Sequence, residues 1–519
     1  MGKTTDFDAI VVGAGHNGLI CAAYLARAGL RTLLLEARAT VGGCASSEDV
    51  LGVRVNICNC DHISIRATPV AEELDLHRHG LRYLDVDPGQ LNLTWDGGPA
   101  WPAFHDVERT IDALGATHPR EVDGYRRYVR DALPVARLIL GAAAAPPSRT
   151  NLVRGALVRR GAGATTLLRW SRMSAADVLR RYFASDDIVA PAVAAGPVIW
   201  GLSPEAPGTG LGALTIAMRH AARVGRPEGG SGMLPAALKL AFEAAGGHLR
   251  TGARVAGIDC DSVGVAGVTL DDATVITAPV VVSACDPRST FLSWLRNPPS
   301  GAGRTIQRWQ TTPAQDGYES KIDAAIQVLP RYRRVDHNLA HRLGYDPLHP
   351  SLMVSPSVAD LHRGAALMAR GEVLDRPVLL TNVPSVLDPT MAPPGRHVLS
   401  LEVLFTPYAL RGGWAGSAEP RRWLDLYATD LVEPGFLDGL GEWRAMTPDR
   451  YEADLHLPRG HATSFAGGPL AALRGRPREL TRYETPISGL YLTGAATFPG
   501  AGIWGASGRS CAATVLRRR

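Results

Sequence analysis

The sequence predicts an α/β fold in which a discontinuous Rossmann-like nucleotide-binding domain carries an α+β insertion of mixed sheet and helices. The main observation is a set of three glycine-rich segments that lie far apart in the chain. A second observation is that the first segment separates an apolar strand from a helix, the order typical of phosphate-binding loops. The three segments are residues 11–18, 41–44 and 500–505.

The first glycine segment follows the apolar run Ala9–Val12 and precedes a helical pattern that closes at Gly29. Gly13 permits a tight turn, Gly15 lets the backbone approach a pyrophosphate, and Gly18 allows the helix to pack closely on the strand. N–H groups at the start of the helix would then face the phosphates. The alternative interpretation is an ordinary glycine-rich turn between a strand and a helix.

A second apolar strand, residues 31–35, ends in Glu36. This acid lies about 20 residues beyond the glycines, where a carboxylate holds a ribose hydroxyl in dinucleotide-binding folds. Its negative charge argues against a 2′-phosphate and therefore against NADP.

Composition indicates a globular, core-forming protein, because 45% of its 519 residues are hydrophobic and 20% are charged. Its formal net charge of +5 is mild for this length. Neither the charge nor any motif indicates nucleic-acid binding. Seven cysteines, an odd and sparse set, predict reduced thiols in a cytosolic protein.

The N-terminal residues show no signal-peptide pattern, and the longest apolar stretches are too short to span a bilayer. We therefore expect a cytoplasmic protein, with a peripheral membrane contact as one interpretation of a basic stretch. This stretch runs from Asp131 to Asp177 without an intervening acid, and the alternative is a solvated basic helix face. Its cations are Arg137, Arg149, Arg154, Arg159, Arg160, Arg169 and Arg172.

Patterns of a nucleotide-binding domain stop after Glu36 and return in two later parts of the chain. The first return is a turn at 227–233, a helical pattern at 234–245 and short strands up to 285, and the second is a strand near 490. We therefore predict one domain built from three segments, with two long inserts that form a substrate-binding domain. The predicted nucleotide-binding domain comprises 1–75, 225–290 and 475–519, and the substrate-binding domain comprises 76–224 and 291–474.

Four motifs resemble those of phytoene desaturase-type flavoproteins, and most of all their His-Asn-Gly branch, the pyridine nucleotide-disulfide oxidoreductase domain 2-like group. They are residues 11–18, the Gly42-Gly43 pair, residues 227–233 and residues 489–502. The resemblance implies a glutathione-reductase/amine-oxidase-like flavoprotein fold and an FAD-dependent dehydrogenase or oxidase. Such an enzyme would desaturate a C–C or C–N bond of a mostly apolar small molecule by hydride transfer to flavin N5.

The resemblance also implies which residues hold FAD. The first loop and its acid would take the ADP half, the double-glycine loop the diphosphate and ribityl chain, and one valine backbone the adenine. The last motif would lie beside the isoalloxazine, where a helix starting near Gly505 would direct its positive end at reduced flavin. The residues are Gly13, Gly15, Gly18, Glu36, Gly42, Gly43, Val255, Gly494, Gly502, Ile503 and Gly505.

Flavin desaturation requires a group that accepts a proton, and His62 is the first candidate because its pKa lies nearest neutral pH. Asp61 would orient it, and the alternative is a hydrogen-bonded structural histidine. His461 is the second candidate, with a loop histidine as the alternative. Trp504, in the last motif, is expected to face the flavin ring or to close the pocket.

Covalent attachment of flavin through His62, Cys58 or Cys60 is disfavoured. We also expect no metal site, since no second ligand pair accompanies Cys58 and Cys60 at zinc-like spacing.

The predicted partners are an apolar or amphiphilic substrate and an electron acceptor, O2 or a quinone. Two other functions share the fold. An amine-oxidase-like enzyme predicts an aromatic cage, for which Trp200, Trp504 and Tyr491 are the candidates. Prenyl-binding escort proteins lack redox chemistry and tend to lose the FAD loops, whereas all three loops are intact here.

Overall fold

The computed structural model describes residues 5–58, 60–144, 146–148, 150–151, 161–461, 464–465 and 468–518. Its strands are β1 (Ala9–Val12), β2 (Thr32–Leu35), β3 (Ser47–Val50), β4 (Val53–Asn56), β5 (Tyr83–Asp85), β6 (Gln90–Thr94), β7 (Trp101–Ala103), β8 (Gly225–Pro227), β9 (His248–Arg250), β10 (Val255–Cys260), β11 (Val265–Leu270), β12 (Val275–Thr277), β13 (Val281–Ser283), β14 (Leu295–Arg296), β15 (Glu319–Ile326), β16 (Ser351–Ser355), β17 (Val378–Asn382), β18 (His397–Leu404), β19 (Leu440–Met446) and β20 (Leu490–Leu492).

The α-helices connect and cover these strands. They are His16–Arg27, Val70–Glu73, Val107–Thr117, Val122–Ala143, Ala164–Trp170, Ala175–Leu179, Asp186–Ala194, Thr215–Ala221, Met233–Ala244, Gly303–Thr311, His337–Leu343, Val358–Met368, Pro384–Leu387, Glu419–Leu426, Pro448–Leu455, Gly468–Arg474, Arg478–Thr481 and Ala506–Arg518.

One sheet is parallel and joins strands from three distant parts of the chain, in the order β20-β13-β1-β2-β9. The central strand β1 pairs with β2 on one side and with β13 on the other, and β13 pairs with β20. All four residues of β1 are buried, as expected for a parallel sheet covered on both faces. The predicted discontinuous Rossmann-like fold is confirmed.

The helix His16–Arg27 packs between this sheet and the C-terminal helix Ala506–Arg518. The close approach of the two helices requires a glycine: a Cβ atom placed on Gly508 would lie 2.3 Å from the Asn17 carbonyl oxygen. The Gly508 N–H also donates to the Asn17 side-chain oxygen at 3.3 Å. The first and last segments of the chain therefore form one packed unit.

The second large sheet is mixed, with the order β19-β15-β18-β17-β16-β6-β7. One of its faces is apolar and carries buried residues such as Leu352, Leu379 and Leu401, which pack on Trp423 from the helix Glu419–Leu426. A separate helical core, which includes Tyr125 in the helix Val122–Ala143, covers the β7 end of the insert. The predicted mixed sheet with helices is thus present.

Residues just after 290 pack differently from the predicted domain division. Phe291, Ala302 and Trp309 belong to the core that also contains Ile10 and Val281 of the parallel sheet. The chain therefore packs on the core of the parallel sheet up to about residue 309. The division into two domains otherwise stays a prediction.

The basic stretch lies partly outside the described residues, which exclude Arg149, Arg154, Arg159 and Arg160. Arg137 lies in the helix Val122–Ala143, and Arg169 lies in the helix Ala164–Trp170. Among the described helices, none combines the length and the apolar character that crossing a membrane requires.

Gly18 is a position at which the packing of the first helix can be tested. A Cβ atom placed there would lie 1.9 Å from the Gly13 carbonyl oxygen. We expect Gly18→Ala to lower the free energy of unfolding by about 1–3 kcal/mol because the helix must shift away from the loop. Urea unfolding followed by circular dichroism measures the change.

Gly115→Ala is the matched control, since Gly115 is exposed in the helix Val107–Thr117 and a Cβ atom placed on it has no neighbour within 4 Å. It should stabilise the protein by about 0.5–1 kcal/mol. Equal stability of Gly18→Ala and the wild type would contradict the close packing.

Candidate active site

The first glycine loop is held by the acid that ends β2. Glu36 accepts hydrogen bonds from the N–H groups of Ala14 at 2.8 Å and of Arg38 at 2.9 Å, one on each carboxylate oxygen. The Arg38 guanidinium reaches Glu48 at 3.4 Å, but its Nη1 is buried and has no partner among the described residues. An unpaired buried guanidinium N–H fits an anionic group at this place, such as a phosphate.

The start of the helix His16–Arg27 has the features of an anion site. Gly15 precedes the helix, and no side chain caps it. A Cβ atom placed on Gly15 would meet no atom within 4 Å. The space in front of the loop is therefore open, and the free N–H groups of the first turn face it.

The double-glycine loop packs directly on this first loop. The Gly42 N–H donates to the Ala14 carbonyl at 2.8 Å, and a Cβ atom placed on Gly43 would lie 3.4 Å from the Gly15 Cα. Val255, at the start of β10, follows Ala253, whose N–H donates to the Glu36 carbonyl at 2.8 Å. Both elements lie next to the open loop, as their predicted roles require.

The last motif meets the first through backbone and side-chain contacts. The ring of His16 is hydrogen-bonded to the backbone of Gly502, and burial lowers its pKa to about 4. The Gly494 N–H donates to Ser507 Oγ at 2.9 Å. The helix that was expected near Gly505 begins at Ala506.

Of the eleven predicted cofactor residues, Gly18 lies in an α-helix, Val255 begins a strand, and the other nine lie outside the α-helices and strands. Their contacts with FAD stay a prediction. The open space at Gly15 and the unpaired Arg38 N–H show that the cradle fits a phosphorylated cofactor.

His62 is fully buried and both of its ring nitrogens have partners. Nδ1 lies 2.9 Å from the Tyr83 hydroxyl and Nε2 lies 2.9 Å from Ser231 Oγ. Its backbone N–H donates to the Gly225 carbonyl at 2.9 Å, which ties this segment to β8. These contacts favour the alternative interpretation, a hydrogen-bonded structural histidine, over a base that receives a substrate proton.

Trp504 and Trp200 form an aromatic rim beside Gly502, and His461 lies against Tyr318. A Cβ atom placed on Gly502 would lie 3.5 Å from Trp504 Nε1 and 3.7 Å from the Trp200 ring. His461 packs edge-on against Tyr318 and hydrogen-bonds to Gln315 at 3.0 Å. Burial lowers the pKa of His461.

Two members of the predicted aromatic cage therefore meet at the rim. The third candidate, Tyr491, lies in the core strand β20 instead.

The mixed sheet presents a polar face to these loops. Lys321 on β15 lies directly opposite Glu402 on β18, and Glu319 and Asp323 lie two residues to either side of Lys321. Side chains alternate along a strand, so all four point to the same face. The same face continues across the sheet with Asn382, Ser351 and Gln90.

Asn56 and Asp61 contact this polar face. Lys321 Nζ donates to the Asn56 carbonyl at 2.6 Å and forms a buried ion pair with Asp323. Asp61 accepts hydrogen bonds from Ser351 Oγ at 2.6 Å and from Arg226 Nε at 2.7 Å. These contacts of Asn56 and Asp61 join the mixed sheet to the chain segment that carries His62.

Glu402 and Glu319 remain without such partners. Glu402 is 5% exposed, and neither carboxylate forms a hydrogen bond or an ion pair with another described residue, although the charge of Lys321 acts on both. Burial, and then the charge of Glu319, raise the pKa of Glu402 to about 8. Burial, and then the charge of Cys44, raise the pKa of Glu319. Burial therefore favours the protonated form of Glu402 at neutral pH.

Comparisons with known proteins agree with this geometry. The family described as "Flavin containing amine oxidoreductase" matches residues 18–314. The chain belongs to this family. It is a flavin-dependent oxidoreductase of the amine oxidase and phytoene desaturase superfamily, which confirms the family resemblance seen in the motifs.

The chain of this oxidoreductase is similar to curated proteins over nearly its full length. It is 29% identical to mouse "Pyridine nucleotide-disulfide oxidoreductase domain-containing protein 2", covering 99% of this chain and 94% of the relative. It is 26% identical to a lycopene-forming phytoene desaturase from Paracoccus sp., covering 96% of this chain and 95% of the relative.

Solved structures share the fold of this oxidoreductase at low identity. An oxidoreductase from Methanosarcina mazei aligns with a TM-score of 0.61 at 17% identity, covering 98% of this chain and 100% of that one. Cyclohexylamine oxidase from Brevibacterium oxydans aligns with a TM-score of 0.60 at 17% identity, covering 99% and 100%.

The sequence analysis of this oxidoreductase missed Arg38, Glu319 and Glu402. One signal for the acids is present in the sequence: Glu319, Lys321 and Asp323 alternate with apolar or small residues, which is the pattern of a strand with one polar face. Glu402 lies on a different strand, and its pairing with Lys321 becomes visible only in the sheet.

His62 gives the flavin oxidoreductase a pH-dependent stability. Burial lowers the pKa of its ring to about 3, from an ordinary value of 6.5. Below about pH 6.5, the unfolded chain binds a proton at this residue that the folded protein does not bind. The stability contributed by the neutral ring is therefore present above about pH 6.5 and is lost as the pH falls toward 3.

His62→Gln should remove this titration. The free energy of unfolding should fall less steeply between about pH 6.5 and 4 than in the wild type, by up to about 1.4 kcal/mol per pH unit. His77→Gln, at an exposed position, is the control and should keep the wild-type slope. Urea unfolding at a series of pH values measures the slopes, and identical slopes for His62→Gln and the wild type would contradict the burial of a neutral ring.

Proposed function

We propose that the protein is an FAD-dependent dehydrogenase or oxidase that removes a hydride from a C–C or C–N bond of a small amphiphilic or mostly apolar molecule. The observation that carries this proposal is the pair of unpartnered carboxyl groups, Glu402 and Glu319, on the sheet face that meets the glycine loops. A dehydrogenation releases a proton as well as a hydride, so a buried proton acceptor beside the cradle fits this reaction.

The cradle residues would hold FAD by its phosphates and ribose. The N–H groups after Gly15 and the unpaired Arg38 N–H would bind the diphosphate, and each Glu36 oxygen keeps a lone pair that can accept from a ribose hydroxyl. When bound, FAD supplies the hydride acceptor. The positive end of the helix that begins at Ala506 would stabilise negative charge in front of it.

Glu402 fits the role of proton acceptor better than His62 does. Its carboxylate has no described partner to lose, whereas both His62 nitrogens are already in hydrogen bonds. Lys321, directly opposite, is held by Asp323 and by the Asn56 carbonyl. We propose that Glu402 takes the substrate proton and that Glu319 shares it.

A second candidate is oxidation of an amine, and the aromatic rim favours it. Trp200 and Trp504 both lie beside Gly502, and aromatic faces attract cations. The carboxyl pair would attract the same charge. O2 or a quinone would reoxidise the flavin in either case.

Anaerobic flavin reduction tests the proposed function. The purified protein should be yellow and release FAD on denaturation, and at least one compound from a panel of polyenes, lipids and amines should bleach it. Polyenes or lipids would support C–C desaturation, and amines would support the second candidate. Reoxidation with O2 or with a soluble quinone then identifies the acceptor. A colourless protein without releasable flavin would contradict both enzyme functions and favour a non-redox escort.

Glu402→Gln tests the proton acceptor. In the wild type, the rate of flavin reduction should rise with pH up to about pH 8, because a base acts only when it is unprotonated. The variant should lose this rise and reduce flavin about 10²–10⁴-fold more slowly, with FAD still bound. Stopped-flow absorbance across pH measures both effects.

Glu442→Gln is the matched control, since Glu442 is exposed on β19, the edge strand of the same sheet. It should keep the wild-type rate and pH profile. An unchanged pH profile in Glu402→Gln would remove Glu402 from the reaction.

A further inference from the structure

We propose that Cys44 and Cys58 form a dithiol–disulfide couple that exchanges two electrons with the bound flavin. Neither cysteine has a role in the proposed oxidation of substrate. The electron acceptor in this inference rests on the proposed binding of FAD. The formation of the disulfide rests on the surroundings of the two thiols.

Cys44 lies one residue beyond the double-glycine loop. It sits in the short 3-10 turn Gly43–Ala45, and a Cβ atom placed on Gly43 would lie 3.4 Å from the Gly15 Cα of the first loop. The Cys44 thiol is therefore carried by the same piece of backbone that closes the cofactor cradle.

The hairpin β3–β4 brings Cys58 to the same place. Ser47 pairs with Asn56 in the hairpin, and the Ile57 N–H donates to the Ser46 carbonyl at 3.0 Å, so the pairing extends past the strand ends. Cys44 lies two residues before Ser46, and Cys58 directly follows Ile57. Their side chains pack on the same small cluster, which contains Tyr451, and each thiol shifts the pKa of the other.

The surroundings shift the pKa values of the two thiols in opposite directions, as is expected of a nucleophilic and a resolving thiol. The hydrogen bond from Cys58, and then the Arg38 guanidinium, lower the pKa of Cys44. The same contact, together with burial, raises the pKa of Cys58. The groups that face the pair are Arg38, Glu319, Glu402 and Tyr451.

The exchange balances without any further reactant. Two S–H bonds break and one S–S bond forms, which releases two electrons and two protons. When bound, FAD would supply the acceptor for both electrons and both protons, and the reverse transfer would restore the dithiol. Both cysteine residues are only partly buried, which leaves them closer to solvent than a core cysteine.

The chain contains a second thiol pair that provides a comparison. Cys21 and Cys511 also interact across the first and last helices, but both are 0% exposed in an apolar core. A fully buried thiol cannot be reached by a reaction partner and is therefore protected from exchange. Only the Cys44–Cys58 pair combines contact, access and a place on the cofactor loop among the described cysteines.

An anaerobic reductive titration of the oxidised holoprotein tests the couple. The protein is first exposed to diamide, a thiol oxidant, and freed of excess reagent. The wild type should then consume about four electrons of dithionite per flavin, two for the disulfide and two for FAD. Cys58→Ser and Cys44→Ser should each consume about two. Alkylation and peptide mass spectrometry should detect a bond between Cys44 and Cys58 before the titration and two free thiols afterwards.

The double variant Cys21→Ser/Cys511→Ser is the control and should still consume about four electrons per flavin. Circular dichroism verifies that each variant is folded, and the peptide measurement on the wild type needs no variant. Consumption of about two electrons by the wild type, with Cys44 and Cys58 both alkylated after diamide, would overturn the couple.

A protein that binds no flavin would contradict the proposed function in a different way. In that case, a Cys44–Cys58 bond formed by diamide would still support the thiol couple, and its absence would overturn it. The two failures are therefore distinguishable.

Discussion

The arrangement of this protein depends on the burial of Lys321 in the middle of the mixed sheet. A fully buried ammonium group is stable only when its charge is paired and its N–H bonds are used. Asp323 supplies the charge, and the carbonyl of Asn56 supplies an acceptor from the chain segment beside the cofactor loops. This requirement fixes how the sheet and the loops meet. Because Lys321 is paired with Asp323, Glu402 and Glu319 have no ion pair of their own among the described residues.

The parallel sheet and its loops could be predicted because their signals are local. A strand, a glycine turn, a helix and an acid follow one another within about thirty residues in such folds, and each has its own pattern. The later strands around 281–283 and 490–492 are short apolar runs next to glycines, so they too are visible in the sequence. The limits of the inserted domain were less visible, and Trp309 shows that packing continues past the predicted boundary.

The candidate acid–base groups could not be predicted in the same way. His62 was chosen for the intrinsic pKa of histidine, but that value holds only in water, and the ring is buried between Tyr83 and Ser231. Glu402 has an ordinary carboxyl group in the sequence. Only its burial, and its place opposite Lys321, move its pKa toward neutrality. A side-chain pKa that is set by contacts between distant strands leaves no pattern in the local sequence.

The strand order of the parallel sheet has a consequence for how the protein is made. β1 and β2 are synthesised first, whereas β9 and β13 follow more than two hundred residues later and β20 follows near residue 490. Non-local pairings of this kind form slowly, because the entropy cost of closing long loops comes before the stabilising contacts form. During translation, the first glycine loop therefore reaches its final packing only after most of the chain has been made. Until then, the exposed edges of β1 and β2 need protection from aggregation.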